Sequence, residues 1–206
     1  MKPFTTIESH AAYLPATNID TDIIFPARYL LLLDREGLGQ YLFRDRRYED
    51  DGTPVPDFVL NRAPFTDAKV LIAGSGFGCG SSREQAVWAL TGHGICCVIA
   101  PSFGEIFASN SLKNGLLPLI LSEELTADLG ARAKIGAIFT IDLQNRVLKV
   151  DGEAVAPIDI PEDQRQALLN GWDETDILVK EEGERIAAFE QSHRAAQPWL
   201  FLETRL

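Results

Sequence analysis

An apolar strand that leads straight into a glycine-rich segment most constrains how this chain can fold. Residues 70–73 are apolar, and a glycine stands at every second position from Gly74 to Gly80. Glycine has no Cβ, so the backbone can turn tightly and approach a bound molecule closely. A helix is predicted to begin next, at Ser81 or Ser82. The sequence thus predicts a tight turn before a helix N-terminus, whose unpaired N–H groups and dipole favour a carboxylate or phosphate.

The same alternation of apolar strands and amphipathic helices continues beyond the turn. The predicted order is strand 69–73, helix 82–91, strand 95–100, helix 103–113 and strand 116–121. A β-α-β-α-β order implies a parallel sheet with right-handed crossovers. The chain is therefore predicted to be an α/β protein.

The flanking segments extend this core at both ends. Their predicted elements are short extended pieces at 5–7 and 13–14, an exposed loop over 34–57 around a short helix at 38–43, a helix at about 123–133, strands within 137–150 and after Asp151-Gly152, and helices at about 162–170 and 180–194. No repeat or linker interrupts them. Residues 1–206 are predicted to form a single domain, with a mobile loop at about 28–50 and a C-terminal helical segment at about 160–206.

Composition narrows the classes of partner and cofactor. A net charge of −11 argues against nucleic acid and anionic membrane surfaces, and no apolar run reaches the roughly 18 residues of a membrane span. Three cysteines, Cys79, Cys96 and Cys97, form no even disulfide framework and predict a reducing, cytoplasmic setting. They are too few for an iron–sulfur cluster, which needs about four thiolates. The histidines show no metal-ligand spacing, so we expect no metal on this chain.

Three familiar motifs do not fit the glycine-rich segment. A dinucleotide fingerprint needs glycine at its sixth position, where the three possible registers place Cys79, Ser81 or Arg83. A nucleotide phosphate loop needs a lysine that is missing here, and a nucleophile elbow needs glycines two residues either side of the serine. An anion-binding turn with hydroxyl groups remains.

Ser81 has a structural interpretation and a chemical one. Ser81-x-x-Glu84 fits a capping box, and Ser82-x-x-Gln85 fits another, so either serine could simply cap the helix. A helix needs only one cap, however. Arg83 in the first turn would also oppose the helix dipole unless an anion were bound there.

Several segments together resemble the family of 3-isopropylmalate dehydratase small subunits, which corresponds to the swivelling fourth domain of aconitase. The matching segments are residues 18–22 with a proline at 26, residues 56–61, residues 77–84, residues 98–103 and residues 113–118. The resemblance covers nearly the whole chain and is looser in the C-terminal third. It implies a swivelling β/β/α domain of the aconitase C-terminal type.

The resemblance also implies a reaction and a partner. The family's hydro-lyases interconvert 2-isopropylmalate and 3-isopropylmalate through 2-isopropylmaleate in leucine biosynthesis. A [4Fe-4S] cluster on a separate large subunit acts as the Lewis acid, so no cofactor is expected on this chain. The expected assembly is a heterodimer or heterotetramer that binds a small dicarboxylate substrate and is inactive without the large subunit.

By the same resemblance, Ser81 is the catalytic residue that removes a proton from the carbon beside a carboxylate. Its alkoxide would need stabilisation by N–H donors and a nearby cation. Arg83 would hold a substrate carboxylate, with Ser82 beside it. The backbone of residues 78–80, Gly78-Cys79-Gly80, would form the anion-binding turn.

Asp22, Leu31 and Leu32 complete the predicted substrate-binding residues, each with a structural alternative. The family places Asp22 at the edge of the active site, but such residues also form Asx turns with their own backbone. Leu31 and Leu32 fall in a segment resembling the family's substrate-selecting loop, where apolar residues suit an isopropyl group. They could equally pack in the core.

Two departures from the family pattern leave other functions open. Gln85 stands where family members carry His, and Arg46 stands where they carry Trp. Alternatives are a related dehydratase subunit acting on citramalate, dimethylmalate or homoaconitate, and a non-catalytic assembly subunit. A self-sufficient hydrolase using Cys79 or Ser81 is a further alternative, though no histidine is predicted nearby.

Overall fold

The computed structural model of the chain describes residues 1–32, 34–80 and 83–201. Its centre is one seven-stranded sheet with strand order β4-β3-β2-β1-β5-β6-β7. The strands are β1 (Thr6–Leu14), β2 (Val70–Ala73), β3 (Cys97–Ala100), β4 (Leu117–Ile120), β5 (Ile138–Asp142), β6 (Val147–Val150) and β7 (Glu153–Pro157). Strands β1 to β4 pair in parallel, whereas β1, β5, β6 and β7 pair antiparallel. The first strand therefore joins a parallel half to an antiparallel half.

Seven α-helices accompany the strands in the described part of the chain. They are α1 (Thr21–Ile24), α2 (Arg44–Arg47), α3 (Glu84–His93), α4 (Glu105–Lys113), α5 (Glu123–Lys134), α6 (Glu162–Asn170) and α7 (Glu174–Ala196). Short 3-10 turns lie at Ala27–Tyr29, Leu38–Tyr41, Val59–Asn61 and Pro198–Phe201. No described helix is long and apolar enough to cross a bilayer.

The sheet separates two hydrophobic cores because alternate strand residues point to opposite faces. Leu71 and Ala73 of β2 pack in one core with the buried faces of α3 and α4. Val70 and Ile72 pack in the other, with α5 and the antiparallel strands. All four residues are fully buried. Strand β2 is thus covered on both faces, as the continuous apolar run 70–73 predicts for a parallel strand.

Most of the predicted elements agree with the structure, and three differ. Strand β1 is one continuous strand of 9 residues rather than two short pieces. The last long helix begins at Glu174, not near residue 180. Within the predicted exposed loop 34–57, the 3-10 turn at Leu38–Tyr41 confirms a short helix there, but Leu38, Leu42 and Phe43 are buried core residues.

Candidate functional site

The glycine-rich turn follows β2 and is connected to neighbouring segments through its backbone. Gly74 N–H donates to the Ala16 carbonyl at 3.2 Å, and Gly78 N–H donates to the Ile19 carbonyl at 2.7 Å. The Cys79 carbonyl accepts from Thr21 N–H at 3.1 Å. These hydrogen bonds hold residues 16–21 alongside the turn. They therefore fix the start of α1 at Thr21.

A second segment closes the other side of the turn. Phe77 N–H donates to the Ser102 carbonyl at 3.1 Å, and Gly104 N–H donates to the Phe77 carbonyl at 2.9 Å. Gly78 has a φ of +72°, and a Cβ added to it would lie 2.2 Å from the ring of Phe107. Only glycine fits both the left-handed backbone and the contact with that ring. The sequence pattern of alternate glycines therefore reflects close packing as well as tight turning.

The hydrogen bonds also change the role expected for two turn residues. The Gly78 N–H is used by Ile19, and the Cys79 N–H donates to the Gly76 carbonyl at 3.3 Å. Neither group points at an open anion site, so Gly78 and Cys79 shape the turn rather than donate to a ligand. Gly80 has a φ of +91°, a left-handed conformation that turns the chain just before Ser81.

Arg83 forms an ion pair with Asp22 across the end of this turn. Arg83 is the N-cap residue of α3 in an extended conformation, and α3 begins at Glu84. Asp20 caps α1 through its Oδ1 atom, which accepts from Ile23 N–H at 2.7 Å, and this places Asp22 in the first turn of α1. The Arg83 side chain is 17% exposed and that of Asp22 is 49% exposed. The pair therefore opens to solvent on the Asp22 side.

This start of α3 differs from both predicted capping boxes. A box beginning at Ser81 or Ser82 would place the N-cap one or two residues before Arg83. The Glu84 carboxylate accepts a hydrogen bond at 2.8 Å from the side-chain amide of Asn114, at the end of α4. Ser81 and Ser82, the predicted proton abstractor and its neighbour, lie outside the described residues. In the sequence they stand between Gly80 and Arg83.

The arrangement provides a cation suited to a carboxylate. The contact with Asp22 uses one Nη atom of Arg83, and a guanidinium carries five N–H donors in a planar fork. Arg83 can therefore retain Asp22 while it binds a second carboxylate. Because Arg83 is largely buried, that interaction is stronger than one on an open surface.

The leucines of the predicted substrate-selecting loop lie at the surface. Leu31 is 90% exposed and Leu32 is 38% exposed, so the alternative that they fill the core is wrong for Leu31. At the base of the loop, Tyr29 stacks on Tyr41 with ring centroids 4.3 Å apart. The loop therefore has an apolar tip at Leu31 and Leu32, and this tip can contact a group that is not part of this chain's core.

The cysteines are not arranged as a cluster site. No group of three or more His, Cys, Asp or Glu side chains that could hold a metal ion occurs among residues 1–32, 34–80 and 83–201. Cys97 is fully buried on β3, and burial raises the pKa of its thiol far above the ordinary value. Burial also raises the pKa of Cys96. Thiols of this kind resist the deprotonation that metal binding requires.

Two side-chain networks that involve α3 were not anticipated from the sequence. Arg47 donates to Asn61 Oδ1 at 2.8 Å and lies 3.3 Å from Nδ1 of His93. Trp88 Nε1 donates to Asn114 Oδ1 at 2.9 Å. Asn61 and Asn114 both belong to segments that carry the family resemblance. That membership is the sequence signal that could have pointed to these two residues. The departure at Arg46 is an exposed side chain on α2.

A cavity of about 520 Å³ is lined by Arg35, Trp88 and Asn114 together with Lys69 and Cys96, and by none of the turn residues 74–80. It opens near the amino ends of the parallel strands, where Lys69 and Cys96 precede β2 and β3. The glycine turn and Arg83 are at the opposite, carboxyl end of β2. Ligands of open α/β sheets bind at the carboxyl ends of strands, so the cavity is not the candidate substrate site.

Comparison with known proteins defines the class of fold first. The family model of the aconitase C-terminal domain matches residues 1–124. The crystal structure of 3-isopropylmalate dehydratase (leuD) from Methanocaldococcus jannaschii superimposes with a TM-score of 0.65 at 27% identity, covering 89% of this chain and 99% of that one. The fold is therefore the mixed α/β swivel domain of the aconitase C-terminal type, as the sequence predicts.

The particular family follows from sequence. A second family model, for the C-terminal domain of 3-isopropylmalate dehydratase small subunits, matches residues 181–203. The 3-isopropylmalate dehydratase small subunit of Rhodospirillum centenum is 48% identical over 97% of this chain and 98% of its own length. That of Paramagnetospirillum magneticum is 46% identical over 97% of this chain and 100% of its own. The chain belongs to the family of 3-isopropylmalate dehydratase small subunits.

Proposed function

We propose that this chain is the small subunit of a 3-isopropylmalate dehydratase, a hydro-lyase of leucine biosynthesis. The observation that carries the proposal is the Arg83–Asp22 ion pair at the end of the glycine turn, in a chain 48% identical over 97% of its length to the Rhodospirillum centenum protein of that name. Its substrate is a small dicarboxylate with an isopropyl branch. Residues 1–206 act as one unit, in the cytoplasm.

Arg83 binds one carboxylate of the substrate, and Asp22 holds the guanidinium in position for it. Both side chains come from helix beginnings that the turn hydrogen bonds place next to each other. A bidentate guanidinium–carboxylate contact orients the neighbouring carbon as well as binding the group. Orientation of the reacting carbon is a large part of the rate enhancement in reactions of this kind.

Ser81 removes the proton from the carbon next to that carboxylate. The C–H electron pair forms the alkene as the hydroxyl leaves the adjacent carbon. Hydration then adds a hydroxyl to the carbon that lost the proton and a proton to the carbon that lost the hydroxyl, which gives the other isomer. A serine hydroxyl is a weak base at neutral pH, so its alkoxide needs a nearby cation. Arg83, two residues further along the chain, supplies that charge, and Ser82 assists in binding.

The partner is a large subunit that carries a [4Fe-4S] cluster, in a heterodimer or heterotetramer. When bound, that cluster supplies a Lewis acid for the leaving hydroxyl. The described cysteines of this chain are buried or apart from one another, which suits a division of labour in which the small subunit supplies no iron ligands. Leu31 and Leu32 contact the isopropyl branch of the substrate in the assembled enzyme.

The test is activity of the reconstituted complex. The chain is combined anaerobically with a cluster-bearing large subunit, and hydration of 2-isopropylmaleate is measured for the wild type, Ser81→Ala and Ser192→Ala. Loss of the base should lower kcat by about 1000-fold or more. Ser192 lies on the exposed surface of α7, so its variant is a matched control that should keep full activity.

Three results would contradict the proposal. Full activity of Ser81→Ala would remove the base assignment, and activity of the isolated chain would remove the two-subunit arrangement. Faster turnover of citramalate, dimethylmalate or homoaconitate than of isopropylmalate would assign the chain to a related dehydratase instead.

A further inference from the structure

The loop that carries Leu31 and Leu32 touches α3 through Arg35. The Arg35 guanidinium lies over the Trp88 ring, with its Cζ atom 4.2 Å from the ring centroid. A cation at this distance over an indole face is attracted by the ring quadrupole. Trp88 lies one turn after Glu84, the first residue of α3. The contact thus joins the loop to the helix that begins beside Arg83.

The Trp88 ring is itself held in a fixed orientation. Its Nε1 donates to Asn114 Oδ1 at 2.9 Å, and the Asn114 amide donates to Glu84 Oε1 and to the Asn110 carbonyl, each at 2.8 Å. A cation–π contact keeps its geometry only while the ring keeps its orientation. The asparagine therefore supplies a rigid platform for Arg35.

The platform also reaches the anion-binding residue. Glu84 directly follows Arg83, and it is the acceptor that Asn114 holds. A continuous set of contacts therefore runs from the loop through Arg35, Trp88 and Asn114 to the residue next to Arg83. Its two ends are Arg35, three residues after Leu32 in the same loop, and Glu84, which directly follows Arg83.

We propose that Arg35 is a positioning residue for substrate specificity, which sets the distance between the leucine-bearing loop and Arg83 by stacking on Trp88. This inference rests on the proposed function. Arg35 acts through Trp88 and does not touch the substrate. Without the contact, the exposed loop samples more conformations, and substrate binding must then restrict them.

That mechanism predicts an effect on binding rather than on the chemical step. In the reconstituted complex, Arg35→Ala should raise KM for isopropylmalate about threefold to fivefold, as expected for a stacked cation at a partly exposed site. The value of kcat should stay within about twofold, since no group at the reacting carbon changes. Preference for isopropylmalate over citramalate, which lacks the bulky branch, should fall by a similar factor.

Two further variants test the route through Trp88. Arg35→Lys keeps a cation for the ring but loses the planar stack, so its KM should fall between those of the wild type and Arg35→Ala. Trp88→Phe keeps a ring without the Nε1 donor and should raise KM slightly. If Arg35 acts through this ring, the double variant Arg35→Ala/Trp88→Phe should be no worse than Arg35→Ala alone.

A matched control is Arg132→Ala, which removes an arginine paired with Asp128 on α5. Its KM should equal that of the wild type. An unchanged KM for Arg35→Ala, or effects that add fully in the double variant, would overturn the inference while the wild-type complex still hydrates isopropylmaleate. A wild-type complex that does not act on isopropylmaleate at all would instead overturn the proposed function.

Discussion

The turn at residues 74–80 is fixed by its own backbone, whereas the loop at residues 28–37 is attached mainly by side chains. Turn residues bond to the segments at 16–21 and 102–104 through N–H and carbonyl groups. The loop is held by the Arg28–Asp45 ion pair, the Tyr29–Tyr41 stack and the Arg35–Trp88 contact. Backbone contacts do not depend on residue type except where a Cβ would clash, but side-chain contacts change with every substitution.

The difference matches what each region is proposed to do. The turn places Arg83 and precedes the proposed base, and a misplacement of about 1 Å there would cost much of the rate. The loop contacts the branch of the substrate, which differs among related malates. A surface attached by side chains can be altered for another substrate without unfolding the turn. Three further experiments, in addition to the Arg35 variants, test this contrast.

The largest effect is expected for Gly78→Ala. The new Cβ would meet the Phe107 ring in a backbone of positive φ, so we expect a loss of about 3 kcal/mol in the free energy of unfolding, together with loss of activity. Gly136→Ala is the matched control: it has a φ of +86°, but a Cβ there meets nothing within 4 Å. Its cost should be about 1 kcal/mol. Urea unfolding of both variants measures the difference, and equal costs would mean that the turn is not closely packed.

The next effect concerns pH and His93, the last residue of α3. Burial, and then the charge of Arg47, lower the pKa of His93 to about 4. Below pH 6.5 the unfolded chain takes up a proton there that the folded chain does not, so stability is lost as the pH falls from about 6.5 to 4. His93 is partly exposed, and the loss at pH 5 should be about 1 kcal/mol.

Measuring unfolding of the wild type and His93→Gln at pH 7 and pH 5 isolates this contribution from those of other titrating groups. The variant should lose less stability than the wild type between the two pH values. The same loss in both proteins would show that His93 is protonated as easily in the folded state as in the unfolded state.

The smallest effect on stability is expected for Leu31→Ser. Leu31 is almost fully exposed, so the free energy of unfolding should change by less than about 0.5 kcal/mol. KM for isopropylmalate should nevertheless rise about threefold, from lost apolar contact with the branch. Ile135→Ser, at an equally exposed position far along the chain, should change neither quantity. A large loss of stability in Leu31→Ser would mean that the loop tip packs in the fold after all.

Much of the parallel half could be predicted from sequence because its signals are local. Apolar runs such as 70–73 alternate with amphipathic segments, and the glycines mark the turn between them. Strand β1 was harder, since Glu8, Ser9 and His10 are weak strand formers. Pairing with β2 on one side and β5 on the other makes them a strand, and that pairing comes from distant residues.

The loop and the start of α3 likewise depend on contacts with residues that are distant in the sequence. Two serines and a glutamate fit a capping box, yet the N-cap of α3 is Arg83, and the Glu84 carboxylate accepts a hydrogen bond from Asn114, 30 residues away. Gly39 lies against Gly92, where an added Cβ would be 2.4 Å from the Gly92 carbonyl carbon. Such a contact between two glycines far apart in sequence leaves no local pattern. Leu38, Gly39, Leu42 and Phe43 are buried in a segment whose polar composition predicts exposure.

The position of β1 has a consequence for synthesis of the chain. It is synthesised before the other six strands, but its antiparallel partner β5 ends at Asp142, which pairs with Thr6. Until residues 138–142 have been made, one edge of this strand has no neighbour, although its parallel partner β2 is already available. Distant pairings of this kind slow folding and prolong the time during which a strand edge can pair with another chain. We therefore expect the nascent chain to be most exposed to pairing with another chain between the completion of the parallel half and the arrival of β5.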